Sequence, residues 1–124
     1  YKFIRAALED RPIVVYGDGE QTRDFTFVED AVEANWLAVA APAAGQVLNI
    51  GGGSRVSVNQ VLATLEEVLG RPIRREHQPP QAGDVSHTWA DTRRAKEVLG
   101  FAPKVALREG LAREVAWLKE TLER

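Results

Sequence analysis

A strand-like run followed at once by a glycine-rich turn is the feature that most constrains how this 124-residue chain folds. Residues 13–16 read Ile-Val-Val-Tyr, and the sequence Gly-Asp-Gly follows directly at 17–19. β-Branched and aromatic residues favour strands, and glycine supplies the backbone conformations that close a tight turn. Residues 23–27 carry two phenylalanines at alternate positions, which predicts a returning strand. The segment as a whole therefore predicts a β-hairpin.

Apolar residues at helical spacing predict five helices around this hairpin. Ser57 or Asn59 can cap the third helix and Asp91 the fourth, and each of these helices ends at a glycine. The first two predicted helices cover residues 1–9 and about 29–41, the second with an apolar stripe of Val32, Trp36, Val39 and Ala40. The third carries Val61, Leu62, Leu65, Val68 and Leu69, the short fourth Ala95, Val98 and Leu99, and the last Leu107, Leu111, Val115, Leu118 and Leu122.

Two further short apolar runs predict strands, at residues 46–50 and 73–77. The first run is apolar on both faces and therefore fits a strand buried within a larger sheet. The alternation of strands and helices predicts a mixed α/β fold.

Composition limits the function classes. The chain is 44% hydrophobic and 27% charged, as in globular proteins, and its length suits one domain at most. A net charge of −2 argues against a nucleic-acid-binding protein, and the absence of cysteine excludes disulfides and thiolate catalysis. No apolar run is long enough to span a membrane, so we expect no membrane partner and a cytoplasmic location.

The chain contains no methionine, and it opens on Tyr1 already in an apolar helical rhythm without a cap. These features predict a piece of a longer protein.

Arg23 is the first candidate binding residue. A planar guanidinium placed just beyond a tight turn suits bidentate contact with a diphosphate. A surface arginine paired with Asp24, Glu20 or Asp30 explains the same residue equally well, so the residues alone leave both interpretations open.

Asp84 is the second candidate. It lies in a loop stiffened by Pro79 and Pro80, where its carboxylate could accept hydrogen bonds from sugar hydroxyls or simply serve a turn. The two histidines, His77 and His87, have no nucleophile partner in triad order and no convergent set of metal ligands, so we predict neither catalytic residues nor a metal site in this chain. Neither Gly-x-Gly at 17–19 nor the triple glycine at 51–53 has the spacing of a dinucleotide fingerprint.

Together these stretches resemble the extended short-chain dehydrogenase/reductase family, and among its members most of all the NAD-dependent nucleotide-sugar epimerases and dehydratases of the UDP-glucose 4-epimerase type. The resemblance rests on motifs that follow in order along almost the whole chain: residues 15–30, Asn-Ile-Gly-Gly-Gly at 49–53, Pro-x-x-Gly-Asp-Val at 80–85, and Ala-Asp-Thr at 90–92 with Ala95, Lys96 and 99–101.

The resemblance implies that residues 1–124 are the C-terminal, nucleotide-sugar-binding portion of such an enzyme. The N-terminal Rossmann domain, which would hold NAD and the catalytic Tyr-x-x-x-Lys pair, lies outside this chain, and the 46–50 strand would join its sheet. We therefore expect the chain alone to be inactive and the parent to be a homodimer. In the parent, a hydride would pass from the sugar C4 to NAD and return to the opposite face.

The family's substrate-binding positions fall on particular residues here. Arg23 would contact the diphosphate, Val14 by its backbone and Tyr16 by its ring would frame the uracil, and Asp84 would accept from a ribose hydroxyl. Phe25 would lie near the nucleotide and Val58 beside the nucleoside.

Two positions adjust this expectation. Gln81 stands where the family usually has a second diphosphate arginine, so it brings a hydrogen-bond donor without charge, for which Arg55 or Arg75 could compensate. Thr88 falls where family members vary the bulk beside the sugar's 2-position, and its small side chain leaves room for an N-acetyl group.

The leading hypothesis is thus a UDP-glucose/UDP-galactose or UDP-N-acetylhexosamine 4-epimerase. A dTDP-glucose 4,6-dehydratase or related reductase, and a non-catalytic nucleotide-sugar-binding module, are the alternatives.

Overall fold

The computed structural model describes residues 1–123, which contain five helices and four short strands. In chain order the elements are α1 (Lys2–Leu8), β1 (Ile13–Tyr16), β2 (Thr22–Arg23), α2 (Val28–Ala40), β3 (Val56–Ser57), α3 (Val58–Leu69), β4 (Arg75–Gln78), α4 (Arg93–Leu99) and α5 (Leu107–Leu122). The mixed α/β class and the five predicted helices are confirmed. None of these helices is both long and apolar enough to cross a membrane.

The chain divides into two compact units, and it passes from one to the other after residues 21, 56, 86 and 106. Unit 1 contains α1, β1, α3, β4 and α5. Its core forms where α3 and α1 pack against α5 and beside β1. The buried members are Ile4, Ala6, Ala7, Ile13, Val15, Leu62, Leu65, Ile73, Val115 and Leu118.

Unit 2 contains β2, α2 and α4 with the segments that join them. Its smaller core gathers Ala34 of α2, Ala95 and Leu99 of α4, and Phe101, with Ile50 packed against them. The described residues 46–50 lie in no β-ladder, so their place in a larger sheet stays a prediction.

The predicted hairpin is wrong. β1 pairs in parallel with β4, with Val15 opposite His77, while β2 pairs with β3. The returning strand is only the two residues of β2, so the phenylalanines at 25 and 27 lie outside it. The sequence between β1 and β2 turns as expected, but the edge of β1 pairs with a strand about sixty residues away, which local patterns cannot reveal.

The apolar stripe of α2 is also placed differently from the expectation. Val32, Trp36 and Val39 are 61%, 75% and 81% exposed, whereas Asp30 and Ala34 are its buried residues. The helical spacing was read correctly, but within unit 2 the helix packs through the face that carries Ala34.

Helix ends follow the predicted signals with one correction. Ser57 caps α3 in a capping box with Gln60, and Gly70 and Gly100 end α3 and α4 in the left-handed conformation. The N-cap of α4 is Thr92 rather than Asp91, although the Asp91 carboxylate accepts from the amide of Arg93 at 3.1 Å.

Candidate functional site

The Gly-Asp-Gly turn at 17–19 is fixed on one side by β4. The amide of Gly17 donates to the carbonyl of Gln78 at 2.8 Å, and His77 Nδ1 donates to the carbonyl of Gly17 at 2.9 Å. Gly17 adopts a φ of 69°, a region that side-chain-bearing residues rarely adopt. The turn therefore continues directly from the β1–β4 ladder.

The first turn of α3 fixes the other side. The amides of Val58 and Asn59 donate to the carbonyls of Gln21 and Gly19 at 3.2 and 3.0 Å. The amide of Gln60 donates to the Ser57 hydroxyl at 3.2 Å. The leading amides of α3, which in other proteins could bind a phosphate, are thus engaged by the protein itself.

A cavity of about 510 Å³ opens in unit 1 beside this turn. Val14 and Tyr16 of β1, Gln21 after the turn and Val58 of α3 all line it, together with residues of α1. Val14 and Val58 are half-buried and Tyr16 is 40% exposed, so the cavity has an apolar floor and an aromatic edge open to ligand. Three residues predicted to frame a nucleoside therefore share one cavity.

The backbone of β1 offers polar groups to the same cavity. Ile13 donates its amide to the carbonyl of Arg74, just before β4, and Gly17 donates to Gln78, so alternate residues of β1 face that strand. Val14 and Tyr16 consequently direct their backbone groups to the edge of β1 that carries no strand within the described chain. The Tyr16 carbonyl accepts from Gln21 Nε2 at 2.8 Å. The N–H and C=O of Val14 are a donor and an acceptor on the same edge of β1.

Gln81 and Asp84 lie in the exposed loop after β4, also in unit 1. A turn joins them, in which the Asp84 amide donates to the Gln81 carbonyl at 3.1 Å and Gly83 takes a φ of 84°. Neither residue lines the cavity beside β1.

The other three predicted site residues belong to unit 2. Arg23 is half-buried and donates from Nη1 to the Thr22 carbonyl at 2.8 Å, and Thr88 donates its amide to the same carbonyl at 3.1 Å. Thr22 Oγ1 lies 2.9 Å from His87 Nδ1. Phe25 is 37% exposed. Unit 2 thus brings the segments of Arg23 and Thr88 together.

Two aspartates near Arg23 have structural partners that the sequence did not reveal. Asp24 accepts from the amides of Gly52 and Ala90 at 2.7 and 3.2 Å, so it joins three segments of unit 2. Asp30 is 1% exposed and accepts from Lys104 and Val105. In the sequence, Asp24 is marked only by its place after a strand and Asp30 only by its place in the first turn of a helix. Neither position indicates the distant amides that these carboxylates bind.

The arginines considered as substitutes for a second diphosphate contact are engaged elsewhere. Arg75 forms a 2.9 Å ion pair with Glu66, and the Arg55 guanidinium lies 4.6 Å from the ring centre of Trp89. Trp89 and Arg55 border a separate cavity of about 740 Å³ in unit 2.

One exposed ion pair, Asp91 with Arg93, also borders that cavity. Side-chain hydrogen bonds from Arg93, and then its backbone amide, lower the pKa of Asp91 to about 2. Among residues 1–123, no three histidine, cysteine or acidic side chains come together as metal ligands would.

Comparison with known families decides the family. The model of the GDP-mannose 4,6-dehydratase family, which belongs to the extended short-chain dehydrogenases/reductases, matches residues 2–114. The chain belongs to this family. The resemblance drawn from the motifs is thereby confirmed.

Similar members of this extended short-chain dehydrogenase/reductase family are named as UDP-sugar 4-epimerases. The chain is 38% identical to a UDP-glucuronate 4-epimerase of Thermodesulfobacterium geofontis, over 99% of the chain and 38% of that relative. The UDP-glucose 4-epimerase of Thermotoga maritima, solved with UDP-glucose, has a TM-score of 0.91 at 39% identity over 98% of this chain and 39% of its own. The UDP-glucuronic acid 4-epimerase of Bacillus cereus, solved with UDP-glucuronic acid and NAD, has a TM-score of 0.90 at 33% identity, covering 96% and 38%.

The chain thus spans about two fifths of the length of the relatives it matches. The C-terminal placement of the match agrees with the predicted fold class.

Proposed function

We propose that the whole protein is an NAD-dependent nucleotide-sugar 4-epimerase acting on a UDP-hexose, and that this chain supplies its nucleotide-binding part. The observation that carries the proposal is the unit 1 cavity, which Val14, Tyr16 and Val58 line together. The names of the similar proteins favour epimerisation of UDP-glucose or UDP-glucuronate.

In this proposal the uracil binds in the cavity beside β1. The N–H and C=O of Val14, on the edge of β1 away from β4, match the alternating donor and acceptor of an imide edge, and the Tyr16 ring packs on the base. Val58 borders the nucleoside and Asp84 accepts from a ribose hydroxyl. These contacts anchor the remote nucleotide, and such binding energy positions the reacting sugar carbon.

Arg23 binds the diphosphate and Phe25 lies near the nucleotide. Gln81 adds an uncharged donor where the family resemblance implies an arginine, so Arg23 holds two negative charges with less help. Thr88 lies beside the sugar's 2-position and admits an N-acetyl group, which keeps UDP-N-acetylhexosamines among the candidate substrates.

The described residues do not fit NAD. They contain no dinucleotide fingerprint, and the leading amides of α3 are engaged by the Gly-Asp-Gly turn. We therefore assign NAD to polypeptide outside this chain, and we expect the whole protein to be a homodimer.

The experiment has a binding and a turnover arm. Calorimetry with UDP should give saturable heat. Arg23→Ala should lower the UDP affinity by about tenfold or more, as expected for the loss of a charge-assisted contact. Arg108→Ala, an exposed arginine of α5 loosely paired with Glu67, should leave the affinity unchanged. Absence of heat at millimolar UDP, or equal affinity in both variants, overturns the site.

The turnover arm incubates the whole protein with UDP-glucose, UDP-glucuronate and UDP-N-acetylglucosamine and separates the products. The proposal expects the 4-epimer of at least one. A 4-keto-6-deoxy product would identify a dehydratase instead, and UDP binding without any turnover would identify a binding module.

A further inference from the structure

The Gly-Asp-Gly turn carries a third set of contacts, made by the side chain of Asn59. Its Nδ2 donates to the carbonyl of Asp18 at 2.9 Å and to Glu20 Oε1 at 2.6 Å. The backbone amide of the same residue donates to the carbonyl of Gly19. One residue of α3 therefore contacts three consecutive residues of the turn.

Close packing accompanies these hydrogen bonds. A Cβ atom built on Gly19 would lie within 2.7 Å of Asn59 Cγ, and Gly19 has a φ of 81°. Glycine suits the left-handed backbone conformation at this position, and a Cβ atom there would force the Asn59 amide group to move. The turn therefore packs directly against the Asn59 side chain.

The elements on either side of the turn are anchored by buried side chains. β1 is held by Ile13 and Val15, each 1% exposed, and α3 by Leu62 and Leu65, both fully buried. The acceptors in the turn, at Asp18 and Glu20, are themselves exposed. Asn59 therefore links a helix that is anchored in the core to exposed residues of the turn.

The turn in turn sets both ends of the cavity edge. Tyr16 precedes it and Gln21 follows it, and both line the cavity beside β1. The hydrogen bond from Gln21 to the Tyr16 carbonyl closes the loop on itself.

We propose that Asn59 is a positioning residue, which holds the 17–21 turn so that Tyr16 and Gln21 are preorganised to bind the nucleoside. The inference rests on the proposed function, since it gives the cavity its ligand. Preorganisation raises affinity because the loop entropy is lost on folding rather than on binding.

The test measures UDP affinity by calorimetry on the intact protein, together with its melting temperature. Asn59→Ala removes one hydrogen bond to a carbonyl and one to a charged carboxylate, so UDP affinity should fall by about tenfold. Asn35→Ala is the matched control, because Asn35 Nδ2 also donates to a carbonyl, that of Ala31 at 2.8 Å, but in unit 2. It should leave UDP affinity unchanged.

A reversed pair separates positioning from mere structural support. Asn59→Asp alone places two carboxylates together and should lower the UDP affinity more than Asn59→Ala does. Adding Glu20→Gln restores a donor and acceptor pair of opposite direction and should recover part of the lost affinity. Glu20→Ala, at an exposed position, should lower the UDP affinity about threefold while the protein stays folded.

The outcomes distinguish the two proposals. If the unaltered protein binds no UDP, the proposed function fails. If it binds UDP, and Asn59→Ala or Glu20→Ala only lowers the melting temperature while the affinity of the folded protein is unchanged, the positioning role is wrong and the proposed function stands. Should Asn59→Ala fail to fold, the Glu20→Ala and reversed-pair affinities decide the matter.

Discussion

At the scale of single residues, the buried carboxylate of Asp30 links two segments of unit 2. Asp30 is 1% exposed and accepts from two backbone amides of the segment after Phe101, at 2.9 and 3.3 Å. Burying an amide without a partner costs about 1–3 kcal/mol. The carboxylate is therefore a structural acceptor, although its position near Arg23 in the sequence first suggested an ion pair.

Asp30→Ala should lower the free energy of unfolding by about 2–4 kcal/mol, because the amides of Lys104 and Val105 lose their acceptors. Chemical denaturation followed by circular dichroism measures the change. Glu67→Ala, at an exposed and loosely paired carboxylate, should change stability by less than about 1 kcal/mol. Similar losses in the two variants would contradict this role.

The pair of Asp91 and Arg93 predicts that the stability of the fold depends on pH in the acid range. Arg93 lowers the Asp91 pKa to about 2 from an ordinary value of 3.8. A carboxyl with a depressed folded-state pKa stabilises the fold above its ordinary pKa, and that contribution is lost as the pH falls towards the depressed value. Carbon-detected NMR titration should give a pKa near 2 for Asp91, and Arg93→Ala should return most of the shift. An ordinary pKa in the unaltered protein would disprove the pairing.

At the scale of elements, the two N-caps of α3 and α4 offer a matched contrast. Ser57 accepts from the amide of Gln60 in a capping box, whereas the Thr92 side chain makes no capping hydrogen bond. Ser57→Ala should therefore cost about 1 kcal/mol of unfolding free energy, and Thr92→Ala much less. Parallel denaturant titrations check the difference, and an equal cost would show that the capping box is not stabilising α3.

The same elements show what the sequence could predict. Helices depend on spacing and caps within a dozen residues, so local patterns are enough to predict all five helices. The pairing of β1 with β4 joins residues about sixty positions apart, and the adjacent Gly-Asp-Gly turn suggested a hairpin that does not form. The buried face of α2 was misread for a related reason, because its partners Leu99 and Phe101 come much later in the chain.

The candidate site divides in the same way. Val14, Tyr16 and Val58 were singled out only through the family resemblance, and their shared cavity depends on tertiary packing that no local pattern encodes. The sequence indicates Asn59 only as a possible helix cap. Its contacts with the 17–21 turn join residues about forty positions apart, so no local pattern predicts them.

At the scale of the whole molecule, the predicted substrate residues are distributed over both units. Unit 1 carries Val14, Tyr16, Val58, Gln81 and Asp84, and unit 2 carries Arg23, Phe25 and Thr88. The nucleoside part of the account can therefore be tested within unit 1 alone. The diphosphate and sugar parts depend on unit 2.

Backbone amide chemical shifts recorded during a UDP titration test the central claim most directly. The account predicts saturable shifts at the Val14, Tyr16 and Val58 amides, with the exposed Val39 amide of α2 unaffected. Shifts confined to the cavity bordered by Arg55 and Trp89, or none at millimolar UDP, would contradict it.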